Sequence, residues 1–428
     1  MKTLIKLDYL QKYLTENNYN AFQTHCLNLK NKIMCIINNF DLKSYKIILS
    51  DPYRQIIENS LLINSVDYLI ADCSHNTDEL FAIQINSFHS FLKLNLCKIS
   101  LIDGRKIVLV EIPIYSLNYS KYSYKADFEY SVTAKFLNNY YILIKFVVCL
   151  LEKTLNYFII ADIKNSSYYF FPDELSNKLL DLSQVNLLNS KYLFIELRNE
   201  SSDKKHDFFF KNKINLDIAD IRFYTEKQII YPFEQFLKDI PKGTIDIKKY
   251  TLAIAKEEYT FIAHYIKDNY FYCLKTYINE NKTELIKTDL ESMKSQIIST
   301  VAEKILPNSS FLNYKIIKAD RTDDKDCFYI VKLLRSSHIN TVIVIYLGEK
   351  TFEKTYTLNY GKEEMLIDFC EKDNYFLTGK ISKNSSGLID YRFYTISNSK
   401  LLLEISQCNN FLILKDFSDK NTIYVIPY

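Results

Sequence analysis

The chain has 428 residues, enough for roughly two to four domains and for a core that needs no covalent staples. It carries 54 basic and 51 acidic residues, and a net charge of +3 gives no electrostatic case for nucleic acid or an anionic membrane surface. Its six glycines (Gly104, Gly243, Gly348, Gly361, Gly379 and Gly387) stand too far apart for GxGxxG or GxxxxGK[ST], which argues against a Rossmann or P-loop nucleotide site.

Tyr (35) and Phe (28) are over-used, while Gly (6), Pro (7) and Trp (0) are scarce. With Lys and Asn also abundant, this matches A/T-rich codons, so Lys richness by itself carries no functional weight. The nine cysteines are scattered and form no CxxC pair. Most sit in apolar surroundings, which reads as reduced, buried thiols and a cytoplasmic setting. The N-terminus shows no signal-peptide h-region, although a leaderless route out of the cell stays compatible with it. The longest apolar run, 140–151, is too short to span a bilayer and contains Lys145.

In chain order, Leu4, Leu7, Leu10 and Leu14 repeat at helical spacing, and Phe22, Cys26, Leu29, Ile33, Ile36 or Ile37, and Phe40 predict a second helix. Asp51-Pro52 resembles an N-cap with Pro at the first helical position and predicts a third, to about Ile63. From Val66 the period changes to two. Asp103-Gly104 joins two apolar runs as a type I′ hairpin would, and Pro113 should close the second of them. From 121 to 136 every even position is apolar or aromatic and every odd one polar, so this stretch reads as a strand with Phe128, Tyr130 and Val132 on the buried face. Asn138-Asn139 should turn it back into 140–151, an apolar run suited to a strand buried on both faces.

Further on, a short helix is expected after Pro172 and another within 225–240. The most regular helical stripe is Ile286, Leu290, Met293, Ile297, Val301 and Ile305, capped by Thr283 and stopped by Pro307. From Phe311 onward, apolar runs separated by polar turns predict strands alone. No fixed sequence repeat emerges. The chain therefore reads as α+β, dominated by antiparallel β-sheet. An N-terminal helical segment (1–65) leads to a first β-rich domain (66–220), a mixed middle region with one long amphipathic helix (221–308) and an all-β C-terminal domain (309–428).

The most chemically loaded stretch is the loop Asp72-Cys73-Ser74-His75-Asn76-Thr77-Asp78-Glu79. The favoured reading is a solvated loop whose Asp and Asn side chains satisfy turn amides. The functional reading makes His75 a general base oriented by Asp72 or Asp78, because an imidazole beside a carboxylate moves protons near neutral pH, or makes the loop a divalent-metal site, which no second His or Cys cluster at metal spacing supports. His25-Cys26 is read as a buried thiol on an apolar stripe, not a nucleophile pair. The acidic run 320–326 lacks the glycine and closing glutamate of an EF-hand and reads as a solvated hairpin loop. Stacking of single-stranded nucleic acid on Tyr122, Tyr124, Phe128 and Tyr130 is disfavoured, since their alternation is what a half-buried strand requires.

No GxSxG, HExxH, HRDxxxxN or DFG motif occurs. The leading expectation is therefore a non-catalytic protein-interaction or structural component of a larger assembly, with other proteins as partners and no cofactor or metal. The alternatives are a hydrolase or transferase working through Asp72, His75 and Asp78, and a carbohydrate or small-ligand module using tyrosines of the C-terminal sheets.

Overall fold

The computed structural model of the chain describes residues 3–17, 24–29, 32–39, 44–70, 79–88, 91–114, 129–149, 154–200, 223–254, 259–267, 269–277, 279–302, 314–318, 328–335, 340–347, 351–371, 373–381, 389–408, 410–415 and 422–427. They open with β1 (Thr3–Lys6) and helix α1 (Tyr9–Glu16). Seven four-stranded sheets follow in series. The first is β2 (Thr24–Leu29), β3 (Lys32–Asn39), β4 (Ser44–Asp51) and β5 (Ile56–Asn64). The second is β6 (Tyr68–Ile70), β7 (Glu79–Phe88), β8 (Phe91–Ser100) and β9 (Lys106–Ile114). The third is β10 (Glu129–Phe136), β11 (Tyr141–Cys149), β12 (Thr154–Asp162) and β13 (Ser167–Phe170), followed by the single-turn helix α2 (Asp173–Ser176).

The fourth sheet is β14 (Val185–Leu188), β15 (Tyr192–Glu200), β16 (Phe223–Pro232) and β17 (Thr251–Ile254), with helix α3 (Phe233–Asp239) between its last two strands. The fifth is β18 (Tyr259–Lys267), β19 (Tyr270–Tyr277), β20 (Thr283–Asp289) and β21 (Ser295–Val301). The sixth is β22 (Tyr314–Lys318), β23 (Phe328–Arg335), β24 (Asn340–Leu347) and β25 (Phe352–Leu358). The seventh is β26 (Met365–Cys370), β27 (Tyr375–Ile381), β28 (Ile389–Thr395) and β29 (Leu401–Cys408). Finally β30 (Phe411–Lys415) pairs antiparallel with β31 (Thr422–Pro427), and β1 adds to β31 in parallel.

In each of the seven sheets the strands lie side by side in chain order. Such meanders need only short local connections, and several of their inner strands carry unbroken buried apolar runs. In β3, Ile33, Met34, Cys35, Ile36 and Ile37 are all buried. The same holds for Ile142, Leu143 and Ile144 of β11 and for Phe271, Tyr272, Cys273 and Leu274 of β19. A sheet whose middle is apolar on both sides must be covered on both sides.

Two compact units satisfy this requirement. One comprises Thr3–Leu187, Glu234–Ile245 and Gln407–Tyr428; the other comprises Leu188–Phe233 and Asp246–Ser406. Within the first, one core holds Ile83, Leu94 and Val110 of the second sheet against Ile144, Phe146 and Ile159 of the third. Another joins Met34, Ile47 and Ile63 to Leu80 and Ile99. A third packs Leu10 and Leu14 of α1 with Cys26, Ile48 and Ile426. Within the second unit, Phe194 and Ile230 meet Phe261 and Phe271, Leu274 and Leu285 meet Ile345 and Leu347, and Val344 and Tyr346 meet Phe369 and Phe376.

This architecture overturns the α+β expectation, and each correction has a local reason. The N-terminal helical segment shrinks to α1. Of the apolar set 22–40, Cys26 and Leu29 lie on β2 and Ile33, Ile36 and Ile37 on β3, where burial on both faces of β3 erases the period of two and leaves a spacing that passes for helical; Phe22 and Phe40 lie outside the described residues. At Asp51-Pro52 the Asp51 carboxylate does accept from the amides of Tyr53 (2.8 Å) and Arg54 (3.0 Å). It caps a turn, however. Gln55 takes a φ of 55°, and the chain returns as β5.

The expected long amphipathic helix is the β20–β21 hairpin. Ile286 and Ile297, two members of its stripe, are partners across the strands. Thr283 bonds the hydroxyl of its cross-strand partner Thr276 (3.1 Å) instead of capping a helix. The turn is closed by Asp289, which accepts from the amides of Glu291 and Ser292, and by Met293 at a φ of 56°. The helix expected over 225–240 reduces to α3, and the one after Pro172 to α2 plus a 3-10 turn at Leu182–Gln184.

The Asp103-Gly104 hairpin exists, but only Gly104 has positive φ, and the amide of Gly104 donates to Ser100 O (2.9 Å). The connection is therefore a four-residue loop and not a type I′ turn. Pro113 does not end its strand; it pairs with Lys93 inside β9, an outer strand where a missing donor is tolerated. The alternating strand is described from Glu129 onward. Val132 and Ala134 are buried and Ser131 and Thr133 exposed, as the alternation requires. Asn138 turns the chain by accepting from the amides of Tyr140 and Tyr141. Its earlier half, with Phe128, lies outside the described residues.

Two substitutions test this picture. Phe146→Ala should cost about 3–5 kcal/mol in denaturant unfolding, because the ring is fully buried between two sheets. Met293→Gly should hold or raise stability by up to about 1 kcal/mol, since Gly relieves a left-handed backbone. In a helix interior it would cost about 1 kcal/mol, so a loss of that size contradicts the hairpin.

Candidate functional site

Asp72, His75 and Asp78 fall in 71–78, outside the described residues; the segment joins β6 to β7, which pair antiparallel. The acidic run 320–326 also lies outside them, as do Tyr122, Tyr124 and Phe128. Tyr130 is described. It is half-buried, and its hydroxyl donates to Asp67 Oδ1 (3.3 Å), which ties the third sheet to the second. Cys26 is buried as expected, on a strand instead of a helix, with its sulfur 2.8 Å from that of Cys35.

The densest polar chemistry among the described residues lies on the sixth and seventh sheets. Glu364 sits in the turn before β26 and is 4% exposed. It accepts from Thr378 Oγ1 on β27 (2.5 Å), and from Arg392 Nη1 (2.7 Å) and Tyr394 OH (3.1 Å) on β28. Burial opposes its charge, but these donors and the Arg392 guanidinium prevail and hold the carboxyl below the usual glutamate range. Arg392 is shared with Glu404 of β29, to which its Nε (3.0 Å) and Nη2 (2.9 Å) both donate.

Glu371, just after β26, takes Lys354 Nζ (2.7 Å) and the hydroxyls of Tyr356 and Tyr346. Burial pushes its carboxyl above the usual range. The ring of Tyr346 also stacks on Phe352 at 4.3 Å, and the Lys354 ammonium lies 5.6 Å from the Tyr346 ring centre.

Proton transfer to a substrate needs a carboxylate oxygen free to face it. Here Glu364 and Glu371 have both oxygens engaged by donors from neighbouring strands. Their arrangement does something else: it cross-links adjacent strands, and in the case of Glu371 adjacent sheets, through charge-assisted hydrogen bonds. No sequence motif announced them. Thr378, Arg392 and Glu404 come from three separate strands and Glu364 from the turn before a fourth, and only the arrangement of β26–β29 assembles them.

Serial four-stranded antiparallel sheets place the chain in the all-β class, and they are the repeating unit of β-propellers. No family model matches the chain, and no curated protein matches it. Several solved structures are similar. An uncharacterised protein from Listeria monocytogenes is 9% identical, with 94% of this chain and 96% of that one covered and a TM-score of 0.40. Oligopeptidase B from Leishmania major is 9% identical, with 97% and 53% covered and a TM-score of 0.42. The β-propeller domain of the Trilobed protease from Pyrococcus furiosus, described as having an open velcro topology, is 9% identical, with 91% and 96% covered and a TM-score of 0.35. This chain thus spans about half the length of the oligopeptidase. Likenesses at these identities and scores carry no argument about activity.

Glu364→Gln should cost about 1–3 kcal/mol, a buried-pair value discounted because Arg392 is one-third open to water. The pH dependence has a definite sign. A carboxyl whose folded pKa is depressed contributes stability above its ordinary value, here 4.5, and loses it as pH falls through the folded value. Urea midpoints of the parent should therefore drop more steeply below pH 4.5 than those of Glu364→Gln. Parallel slopes would show that Glu364 is not held ionised.

Proposed function

We propose that the chain is a non-catalytic protein-interaction or structural component that offers its sheet edges to other proteins. The observation that carries this reading is where large apolar side chains meet solvent. They recur on the fourth strand of one sheet after another: Ile56 and Leu62 on β5, Ile107 and Val108 on β9, Ile254 on β17, Ile297 on β21, Phe352 on β25 and Leu401 on β29. Each of these strands ends its sheet, so one side of its backbone has no strand partner within that sheet. An edge that exposes both backbone groups and apolar side chains is a template for an added strand. The carboxylate clusters support the same reading, because their donors and acceptors satisfy one another within the protein.

The second sheet shows such an edge beside an exposed turn. Beside the Ile107–Val108 edge stands Ile102, 79% exposed at the tip of the β8–β9 hairpin, and the Leu61 side chain beside Leu62 approaches that hairpin at Gly104. No helix among the described residues is long and apolar enough to cross a membrane.

The test uses the full chain bearing Leu62→Lys, Ile102→Lys and Ile107→Lys. These exposed positions should change stability by no more than about 0.5 kcal/mol each. Light scattering after size exclusion and affinity capture from the source cell should then show a partner, or self-association, that the parent has and the variant lacks. A parent that stays monomeric and captures nothing that the variant loses would overturn the reading.

A further inference from the structure

Cys26 and Cys35 stand directly opposite one another in the β2–β3 hairpin. Directly opposed residues of an antiparallel pair hold their Cα atoms about 4.5–5.5 Å apart, inside the window of about 4.4–6.8 Å that a disulfide requires. Both side chains lie on one face, and their sulfurs are 2.8 Å apart, against about 2.05 Å for a bonded pair. Closing that gap takes less than about 1 Å of movement and no strand shift. We propose that Cys26 and Cys35 are a redox pair: a dithiol under reducing conditions that closes into a cross-strand disulfide when a low-molecular-weight disulfide is present.

The chemistry balances with that oxidant alone. The thiolate of one cysteine attacks RS–SR, forming a protein–S–SR bond and releasing RS⁻. The thiolate of the other attacks the protein sulfur of that mixed disulfide, forming Cys26–Cys35 and releasing a second RS⁻. The protons lost by the two cysteines end on the two RSH produced. The protein is oxidised by two electrons, and the small disulfide is reduced by two.

The surroundings decide when this happens. Both thiols are buried in one core with Leu7, with Leu10 and Leu14 of α1, and with Ile426 of β31. Burial, reinforced by the neighbouring thiol, holds Cys26 far above the usual thiol range, so the reactive thiolate is scarce in the folded chain. Closure should therefore be slow in the folded protein and fast while the chain refolds, before α1 and β31 cover the hairpin. Once formed, the bond lies where a reductant must open the same packing to reach it.

Trypsin makes the test direct, because Lys30 and Lys32 separate the two cysteines. The full chain is incubated folded with oxidised glutathione, and in parallel refolded in it, then alkylated and digested. The expected result is a disulfide-linked pair of peptides, 13–30 with 33–43, formed faster during refolding. It should be absent from Cys26→Ala and Cys35→Ala, and thermal unfolding of the oxidised parent should rise by about 2–4 °C. Full alkylation of both cysteines in both arms would overturn the proposal. So would stable glutathione adducts on either cysteine without the cross-link.

Discussion

The structure depends on one constraint: inner strands of its sheets carry unbroken buried apolar runs that fill both faces. Phe158, Ile159, Ile160 and Ala161 of β12, and Leu193, Phe194 and Ile195 of β15, are buried in unbroken succession. A four-stranded meander made this way leaves apolar surface on both sides, at roughly 25 cal/mol for each Å² exposed to water. The remedy is sheet packed on sheet, supplemented at the first sheet by α1 and β31, and the cores of both units are of this kind. Polar side chains that inner strands do carry, such as Thr378 on β27 and Arg392 on β28, are matched by a carboxylate from a turn. Glu364 fits the same logic, since this buried turn carboxylate stays ionised by collecting donors from the strands beside it.

The same constraint explains which parts of the fold were legible. Half-buried strands announced themselves, and the alternation through Val132 and Ala134 named its buried face correctly. Doubly buried strands did not, because a continuous apolar run has no period of its own and a helix can be read into it. That happened with Ile33–Ile37 on β3. The β20–β21 hairpin failed for another reason. Its isoleucines sit at helical intervals by coincidence, while the turn signal resides in Asp289 and in a left-handed Met293, a residue that does not advertise that conformation. The serial repetition of sheets stayed hidden because it demands only apolar strands and polar turns.

The candidate chemistry was less legible still. Asp51, Asn138 and Asp289 behave as polar turn residues do, each accepting backbone amides one turn onward. The groups that organise the polar interior, Glu364 with Arg392 and Glu371 with Tyr346, Lys354 and Tyr356, are 28, 25, 17 and 15 residues apart in sequence. Only strand register brings them together. Cys26 illustrates the same gap: its burial followed from its apolar neighbours, but its opposition to Cys35 required knowing that 24–39 is a hairpin.

The central claim is the repeated sheet, with doubly covered inner strands and an available last strand. Amide hydrogen exchange of the full chain, resolved by peptide mass spectrometry, tests it most directly. The account predicts the slowest exchange in β3, β8, β11, β15, β19, β24 and β27, and much faster exchange in β5, β9, β17, β21, β25 and β29, sheet after sheet. Equal protection of the last strands, or a continuous block of helical protection across 283–301, would contradict it.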